Sequence, residues 1–411
     1  MHKRSIIAAL LGHVMERYDV ALYGYFAVML APIFFPTNDK SISIIASFGA
    51  VSAGYLMRPL GGMIFGHLGD LYGRKKAFVL SMCVIIVPTF IIGILPAYKY
   101  IGVWAPVTLV ACRLIQGLCN GGEFSGAGIF IGEHLPDSRL GLGGGLVCAG
   151  GLLGAAIGTM LGMGATFFGC YEWFWRIPFI LGAVVTAVTC KFRTSMLDPP
   201  VFQKILDEHS TVRFPLLQVF KRYKVNILCA LVIGGFGHVL LYTTTFYMNV
   251  VYSDLSASPF TIMSINTVIL LWWILLAPMV GVIADKIGVI TLMLYGSSFA
   301  IVFSLPFFYY LTYHSSVYQA FIAQAIFSLI GVSFVAPISS LFTLFFPIRE
   351  RYSGVAFSVT LGQALLGGTT PLIEVLLARS FGNIAPAYFV ISCGFLSFFA
   401  LLRTRRFKYH N

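Results

Sequence analysis

Long apolar segments alternate with short polar ones along almost the whole chain, and twelve of the apolar segments are long enough to cross a bilayer as helices. They lie at about residues 6–32, 44–66, 77–96, 104–131, 142–168, 174–190, 227–251, 260–284, 289–311, 317–344, 354–378 and 384–402. The strands of a membrane β-barrel would show short alternating patterns instead. Because lipid requires backbone groups to pair internally, the pattern predicts an all-α integral membrane protein with twelve transmembrane helices.

The longest polar segment, at about residues 191–226, separates two halves that contain six predicted helices each. Equal halves of this kind are typical of duplicated transporter folds, whose binding site lies near the midplane between the halves. We therefore expect an N-terminal bundle at residues 1–190, a central cytoplasmic loop at 191–226 and a pseudo-symmetric C-terminal bundle at 227–411.

Composition narrows the class of protein further. The chain is 58% hydrophobic and only 10% charged, which is typical of a membrane protein and not of a soluble domain. The sequence contains no pairing of a nucleophile with a base, no cluster with metal-ligand spacing and no nucleotide-binding loop. We therefore expect no enzymatic activity, no metal and no cofactor.

The formal net charge of +12 reflects topology and does not indicate a nucleic-acid partner. With the N terminus inside, 20 of the 27 Lys and Arg residues fall in predicted cytoplasmic segments, whereas only Lys40, Lys99, Arg176 and Arg379 fall outside. This asymmetry follows the positive-inside rule and predicts that both termini are cytoplasmic.

Charged residues also occur inside the apolar segments, where insertion of one charge costs about 3 kcal/mol. Four predicted helices carry polar residues at helical spacing on one face: Gly12, Glu16, Asp19 and Tyr23; Arg113, Gln116, Asn120 and Glu123; His238, Tyr242, Thr245 and Asn249; Thr360, Gln363, Gly367, Thr370 and Glu374. Contact with lipid would be unfavourable for these faces, so we expect them to converge on one water-filled cavity. Interhelical hydrogen bonding, worth about 0.6 kcal/mol per pair, is an alternative for the neutral members.

The residue types on these faces suggest separate roles. Two carboxylates three residues apart repel when both are ionised, so we expect the pair Glu16 and Asp19 to carry a proton. We add Glu123 and His238 as groups linked to the proton, although hydrogen bonding is the more common role of a single histidine. The expected solute ligands are Arg113, which can bind a carboxylate through two hydrogen bonds, together with Gln116, Asn120, Tyr23, Arg17, Tyr242 and Gln363. Arg17 is either a cation of this site or the structural partner of an acid on another helix.

A glycine-rich string, GHLGDLYGRKK at residues 66–76, is predicted to form the loop after the second helix. Gly66, Gly69 and Gly73 allow close backbone approach, and Asp70 can face the N terminus of a helix. Arg74 can pair with Glu133. We expect these residues to form a gate, with Arg58 as a further gate residue or as a contact of the solute. The string GVIADKIG in the second half repeats the pattern in part through Gly281, Asp285 and Gly288.

The glycine-rich string resembles the signature between helices two and three of the major facilitator superfamily. The strings GHVMERYDVALYGYFA, RLIQGLCNGGEFSGA, WRIPF and FPIRERYSG are similar to those of its metabolite:proton symporter branch, whose members carry proline, betaines, α-ketoglutarate, citrate or shikimate. The resemblance covers nearly the whole chain and implies that Glu16, Asp19 and Arg113 take part in proton coupling and solute binding. Position 17 is Arg, where the family usually has an aromatic residue.

The expected protein is a secondary transporter that couples a proton to a small solute bearing a carboxylate, by alternating access. Its partners are the solute, the proton and lipid, and we expect a monomer in the inner membrane of a bacterium. Two alternatives remain open at this point: an exchanger or facilitator without proton coupling, and a receptor on the same fold that binds a ligand without transport.

Overall fold

The computed structural model describes residues 2–167, 173–208, 210–313 and 316–405. Twelve long helices account for most of these residues: α1 (His2–Phe34), α2 (Lys40–Tyr72), α3 (Arg74–Ile94), α4 (Trp104–Gly132), α5 (Leu140–Phe167), α6 (Arg176–Thr194), α7 (Lys224–Asp254), α8 (Pro259–Ile287), α9 (Val289–Tyr313), α10 (Val317–Thr343), α11 (Arg351–Phe381) and α12 (Pro386–Thr404). The prediction of an all-α membrane protein with twelve long helices is confirmed.

Nine of the helices in the described part of the chain are long and apolar enough to cross a membrane by length and composition. The other three are α1, α2 and α4, which contain the charged residues Glu16, Asp19, Arg58, Arg113 and Glu123. These residues lower the mean hydropathy of their helices, because charged side chains are the least favourable in apolar transfer.

Helices α1–α6 pack into one bundle and α7–α12 into another, and the two bundles meet mainly where α5 lies against α8 and α2 lies against α11. The contact between α5 and α8 is close because glycine lines it on both sides. A Cβ atom on Gly141 would lie 2.4 Å from the carbonyl oxygen of Gly281. One apolar cluster surrounds Trp175 and Phe179 in the first half. Another surrounds Phe236 and Phe334 in the second half and extends to Ala77 and Ile129 of the first.

The segment between the halves contains two short helices, Pro200–Asp207 and Pro215–Arg222. Each buries a small apolar face, through Phe202 and Val219 respectively. The sixth helix extends to Thr194 and the seventh begins at Lys224, so the ordered bundles reach slightly further into the predicted loop than its limits of 191 and 226.

The prediction that residues 66–76 form a loop is wrong. Residues 66–72 are the last two turns of α2, and α3 begins at Arg74. The chain turns at Gly73, whose φ of 112° lies in a region that L side chains rarely adopt. Gly66 and Gly69 instead allow a close approach from within the helix, because they leave space on its surface.

Candidate functional site

A buried cluster of polar side chains lies inside the first half, around the ion pair of Asp19 on α1 and Arg113 on α4. Their charged atoms are 3.6 Å apart, and both side chains are almost fully buried. The hydroxyl of Thr89 and the amide of Gln116 donate hydrogen bonds of 3.0 and 2.9 Å to one Asp19 oxygen. The guanidinium of Arg113 donates to Gln116 over 2.6 Å and lies 4.4 Å from the ring centre of Tyr23. Asp19 therefore contacts a guanidinium and two hydrogen-bond donors inside the first half.

Glu16 lies one helical turn away and has different partners. Its carboxylate is 3.2 Å from the Arg17 guanidinium and 3.4 Å from the His13 ring. The Arg17 guanidinium also lies 5.0 Å from the ring centre of Phe124 on α4. The two carboxylates of α1 thus each face a separate arginine, although they share one helix face. The acid that Arg17 contacts lies on its own helix and not on another helix, because the two side chains are neighbours in the chain.

Glu123 on α4 pairs with Arg193, which the sequence placed among the cytoplasmic loop cations. The Arg193 guanidinium donates to Glu123 over 3.0 Å and to the carbonyl oxygen of Ala9 over 3.1 Å. Ser81 donates to the same Glu123 carboxylate. Arg193 is completely buried, since α6 continues one turn beyond its predicted end and carries the residue into the bundle. A sixth helix predicted to extend to residue 194 would have placed Arg193 inside the bundle on the basis of the sequence.

The three carboxylates Glu16, Asp19 and Glu123 line a single small cavity. The other polar residues in its wall are Ser81, Thr89, Asn120 and Thr186. Its volume is about 10 Å³, which is close to the space that one water molecule needs. The cavity lies within the first half and not between the halves.

A second cluster, which we call the central layer, lies where the halves meet at mid-height of α1, α2, α4, α7 and α11. Its members are Arg17, Tyr55, Arg58 and Phe124 from the first half and His238, Tyr242 and Gln363 from the second. The hydroxyls of Tyr55 and Tyr242 are 2.8 Å apart. The His238 ring contacts the rings of Phe124 and Tyr242 edge to face, with centres 5.8 Å apart in both pairs.

Arg58 joins the halves at one side of the central layer. Its guanidinium donates to the Gln363 amide oxygen over 3.4 Å and lies 3.9 Å from the ring centre of Tyr55. His238 makes a hydrogen bond of 2.9 Å with the backbone oxygen of Gly234 in its own helix.

The four polar faces therefore do not converge on one cavity in this structure. The faces of α1 and α4 point mainly into the first half, and α7 and α11 contribute His238, Tyr242 and Gln363 to the central layer. Other predicted members of the faces have local partners: Thr245 donates to the carbonyl oxygen of Leu241, and Glu374 accepts from Thr243. Sequence periodicity assigned each residue to a face of its helix, but it could not tell which neighbouring helix that face meets.

At one end of the molecule, the halves are held together by carboxylates that face helix N termini. Asp70 at the end of α2 accepts hydrogen bonds from the backbone nitrogens of Tyr352 and Ser353, over 3.1 and 2.7 Å. These N–H groups belong to the first turn of α11, where they have no partner within the helix. We call this end of the molecule the motif end.

The second half contains the equivalent contact. Asp285 at the end of α8 accepts from the backbone nitrogens of Gly141 and Leu142, over 2.6 and 3.0 Å. These groups lie in the first turn of α5, at the same helical positions that Asp70 contacts in α11. Each half thus ends one helix with an aspartate that caps a helix of the other half.

Arg74 completes the closure of the motif end. It pairs with Asp70 and lies 3.4 Å from Glu133, and it donates to the backbone oxygen of Ile348 over 2.7 Å. Arg351 of the second half reaches Glu133 over 3.1 Å. The structure therefore brings Asp70, Arg74 and Glu133 together as the sequence suggested and adds Arg351, which the sequence reading missed.

Close backbone approach at the motif end depends on glycine. A Cβ atom on Gly69 would lie 2.1 Å from a ring carbon of Tyr352, and one on Gly66 would lie 2.7 Å from the Cα of Ser353. The string FPIRERYSG, noted for its resemblance, contains both Arg351 and Tyr352. This string was therefore the part of the sequence from which the contacts of the second half at the motif end could have been predicted.

Asp198, in the segment after α6, supports the turn between α2 and α3. Its carboxylate accepts a hydrogen bond of 2.8 Å from the backbone nitrogen of Lys75. Burial raises the pKa of the Asp198 carboxyl above its usual range, and the Lys75 hydrogen bond opposes that rise. Among the described residues, no group of three or more His, Cys, Asp or Glu side chains is arranged to hold a metal ion.

Two six-helix bundles that share a charged layer at mid-height define a membrane transport protein. The sequence profile of the Major Facilitator Superfamily matches residues 20–371, and the chain belongs to this family. The prediction of the family is confirmed.

The similarity of this protein to named transporters extends over nearly the whole chain. The Proline/betaine transporter of Escherichia coli (strain K12) is 29% identical over 95% of this chain and 80% of its own length. The protein of the same name from Salmonella typhimurium is 30% identical with the same coverage. The proton:xylose symporter XylE has the same fold, with a TM-score of 0.79 at 14% identity over 99% of this chain and 95% of its own. The chain is therefore a secondary transporter of small solutes, and it belongs to a family of transporters and not of enzymes.

Proposed function

We propose that this protein couples the entry of a proton to the uptake of a small organic solute that carries a carboxylate, by alternating access. The observation that carries the proposal is the buried pair of Asp19 and Arg113, with charged atoms 3.6 Å apart. A buried carboxylate paired with a guanidinium inside a transporter is typical of a group whose protonation changes a conformation. The relatives named proline/betaine transporters support a solute with a carboxylate.

The proposed cycle begins when a proton reaches Asp19. A neutral Asp19 no longer attracts Arg113, so the guanidinium is free to turn and α1 and α4 can change their relative position. Glu16 and Glu123 line the same cavity, and a water molecule there would connect the three carboxylates. We propose that this cavity serves proton transfer, and that the solute enters between the halves.

The second element of the cycle is the closed motif end. We propose that this end faces the cytoplasm, with both chain termini on the same side and the protein in the inner membrane of a bacterium. Release of the solute then requires Asp70 to leave Ser353 and Glu133 to leave Arg351. These contacts join separate bundles, so a rocking motion of one bundle against the other breaks them together.

Uptake by the purified protein in liposomes tests the coupling. An inward proton gradient should drive accumulation of a labelled solute, and Asp19→Asn should lower this accumulation at least about tenfold while counterflow without a gradient persists. The variant Glu16→Gln tests whether the second carboxylate of α1 is also needed for proton-driven accumulation. Asp254→Asn is the matched control, since Asp254 is an exposed acid at the end of α7.

The outcomes separate the possible functions. Proton coupling is contradicted if uptake depends on neither pH nor membrane potential and continues in the variant that carries both Asp19→Asn and Glu16→Gln. The protein would then be an exchanger or facilitator. Ligand binding without any translocation contradicts transport and leaves a receptor on the same fold.

A further inference from the structure

Arg58 is a buried cation in the central layer with an incomplete set of partners. It is only 2% exposed, and within the described residues no carboxylate lies within ion-pair distance of it. Its Nε atom has no hydrogen-bond partner in the described part of the structure, and its contact with Gln363 is long at 3.4 Å. The Nε2 atom of Gln363 likewise has no partner there. Two donors of the same layer are thus left unpaired side by side.

The other arginines that lie within the helical bundles differ in this respect. Each of them faces a carboxylate: Arg17 faces Glu16, Arg74 faces Asp70 and Glu133, Arg113 faces Asp19, Arg193 faces Glu123, and Arg351 faces Glu133. A buried charge without a counterion is strongly unfavourable. The partner of Arg58 is therefore expected to come from outside the chain, and a guanidinium selects a carboxylate above other groups.

The charges of the central layer indicate which kind of carboxylate it accepts. Arg17 and Arg58 bring two positive charges to the layer, and Glu16, which lies beside the layer and pairs with Arg17, compensates one of them, so an excess of one positive charge remains. A solute with a net negative charge neutralises this excess. A zwitterion such as a betaine brings its own positive charge and leaves the excess in place.

The aromatic rings of the central layer also favour an anion over a zwitterion. Quaternary ammonium groups bind to the faces of aromatic rings. Here the guanidinium of Arg58 lies over Tyr55 at 3.9 Å and that of Arg17 lies by Phe124 at 5.0 Å. Two ring faces that such a cation would use are already occupied by cations of the protein.

We infer that Arg58 and Gln363 bind the solute carboxylate and that the transported solute is an organic anion and not a zwitterion. The inference rests on the proposed transport of a carboxylate-bearing solute and deepens it. It changes two roles that the sequence suggested, because the carboxylate ligand becomes Arg58 in place of Arg113 and Arg58 is no longer a gate residue. The anion would enter when the halves separate at the Tyr55 and Tyr242 hydroxyls.

The test is ligand binding to the purified full chain in detergent, measured by the shift of its thermal unfolding. The probes are succinate and pyruvate as anions, and glycine betaine and proline as zwitterions. We expect an anion to raise the unfolding temperature of the wild type and the zwitterions to have no effect. Arg58→Gln should weaken anion binding at least about tenfold, since a charge-assisted contact is lost. Arg58→Lys should retain part of it, and Arg139→Gln, which removes an exposed cation, should retain all of it.

A wild-type unfolding temperature that neither succinate nor pyruvate raises contradicts the inference. Binding of a zwitterion in preference to every anion overturns it, and so does unchanged anion binding in Arg58→Gln. If Arg58→Gln does not fold, the comparison of anions with zwitterions on the wild type still decides the charge of the solute, and a Gln363→Leu variant with unchanged anion binding overturns the placement of the carboxylate. Because the assay uses no proton gradient, anion binding can be found where proton coupling fails, and the two proposals fail separately.

Discussion

The carboxylate of Asp70 lies 2.7 Å from the backbone nitrogen of Ser353 and so ties the end of α2 to the start of α11. Asp285 makes the equivalent contact with Gly141 over 2.6 Å, between α8 and α5. A carboxylate at a helix N terminus satisfies N–H groups that have no partner within the helix and interacts favourably with the helix dipole. The two contacts cross between the halves in opposite directions, which explains why the motif end is closed in this structure.

This relationship predicts a local effect of Asp70→Asn. The variant loses the negative charge and one acceptor oxygen, so amide hydrogens of Tyr352 and Ser353 should exchange with deuterium at least about tenfold faster, as expected for loss of a charge-assisted hydrogen bond. Hydrogen exchange with mass spectrometry measures this. Asp285→Asn is the matched control and should affect Gly141 and Leu142 instead. If the amides at the start of α11 exchange at the same rate in both variants, Asp70 does not stabilise the start of α11.

The ion pair of Glu133 and Arg351, at 3.1 Å, predicts a second measurable coupling. Arg351→Gln should lower the free energy of unfolding by about 3 kcal/mol, because removal of one partner from a buried pair leaves an uncompensated charge. Arg74 also faces Glu133 and should reduce this loss. Thermal unfolding in detergent provides the measurement.

A double-mutant cycle is the control for this pair. The variant that carries both Arg351→Gln and Glu133→Gln should be less destabilised than the sum of the single variants, by about 1 kcal/mol or more. Strict additivity would mean that the two side chains do not interact in the protein.

The packing of Gly69 against Tyr352 predicts that even one methyl group is too large at this position. Gly69→Ala would place a Cβ atom 2.1 Å from the ring, so the ring must move and the motif end should open more readily. We expect faster exchange at the start of α11 and slower accumulation of solute. Gly49→Ala is the control, because a Cβ there meets nothing within 4 Å. A Gly69→Ala protein that matches Gly49→Ala in both assays contradicts the close packing.

The rocking motion predicts different consequences for cross-links within and between the halves. The Sγ atoms of Cys83 on α3 and Cys190 on α6 are 3.0 Å apart inside the first half. Oxidation that joins them should leave uptake unchanged, because the two helices move as one body. Labelled uptake before and after oxidation, with recovery on reduction, is the measurement.

The matched cross-link joins the halves at the motif end. A Cβ on Gly132 would lie 3.6 Å from the Cβ of Thr343, which suits a disulfide. Gly132→Cys with Thr343→Cys, in a chain that also carries Cys83→Ser, should therefore lose uptake on oxidation and regain it on reduction. Uptake that continues with this link closed is incompatible with opening at the motif end.

Several features of this protein follow from its sequence alone. The apolar segments determined the twelve helices, because a segment that crosses lipid must satisfy its backbone groups internally and leaves few other conformations. The spacing of Asp70, Arg74 and Glu133 relative to the predicted helices was sufficient to suggest their contact, since all three lie at helix ends on the same side. The internal repeat around Asp285 was also visible as a pattern.

The tertiary structure alone decided the partners of the charged residues. Glu16 and Asp19 share one helix face, yet one meets Arg17 and the other meets Arg113. Arg193 was assigned to a loop but is buried against Glu123, and Arg58 lies in the central layer without a carboxylate. Periodicity fixes the direction of a side chain relative to its own helix axis, whereas its partner depends on how helices distant in the chain are placed and rotated against each other.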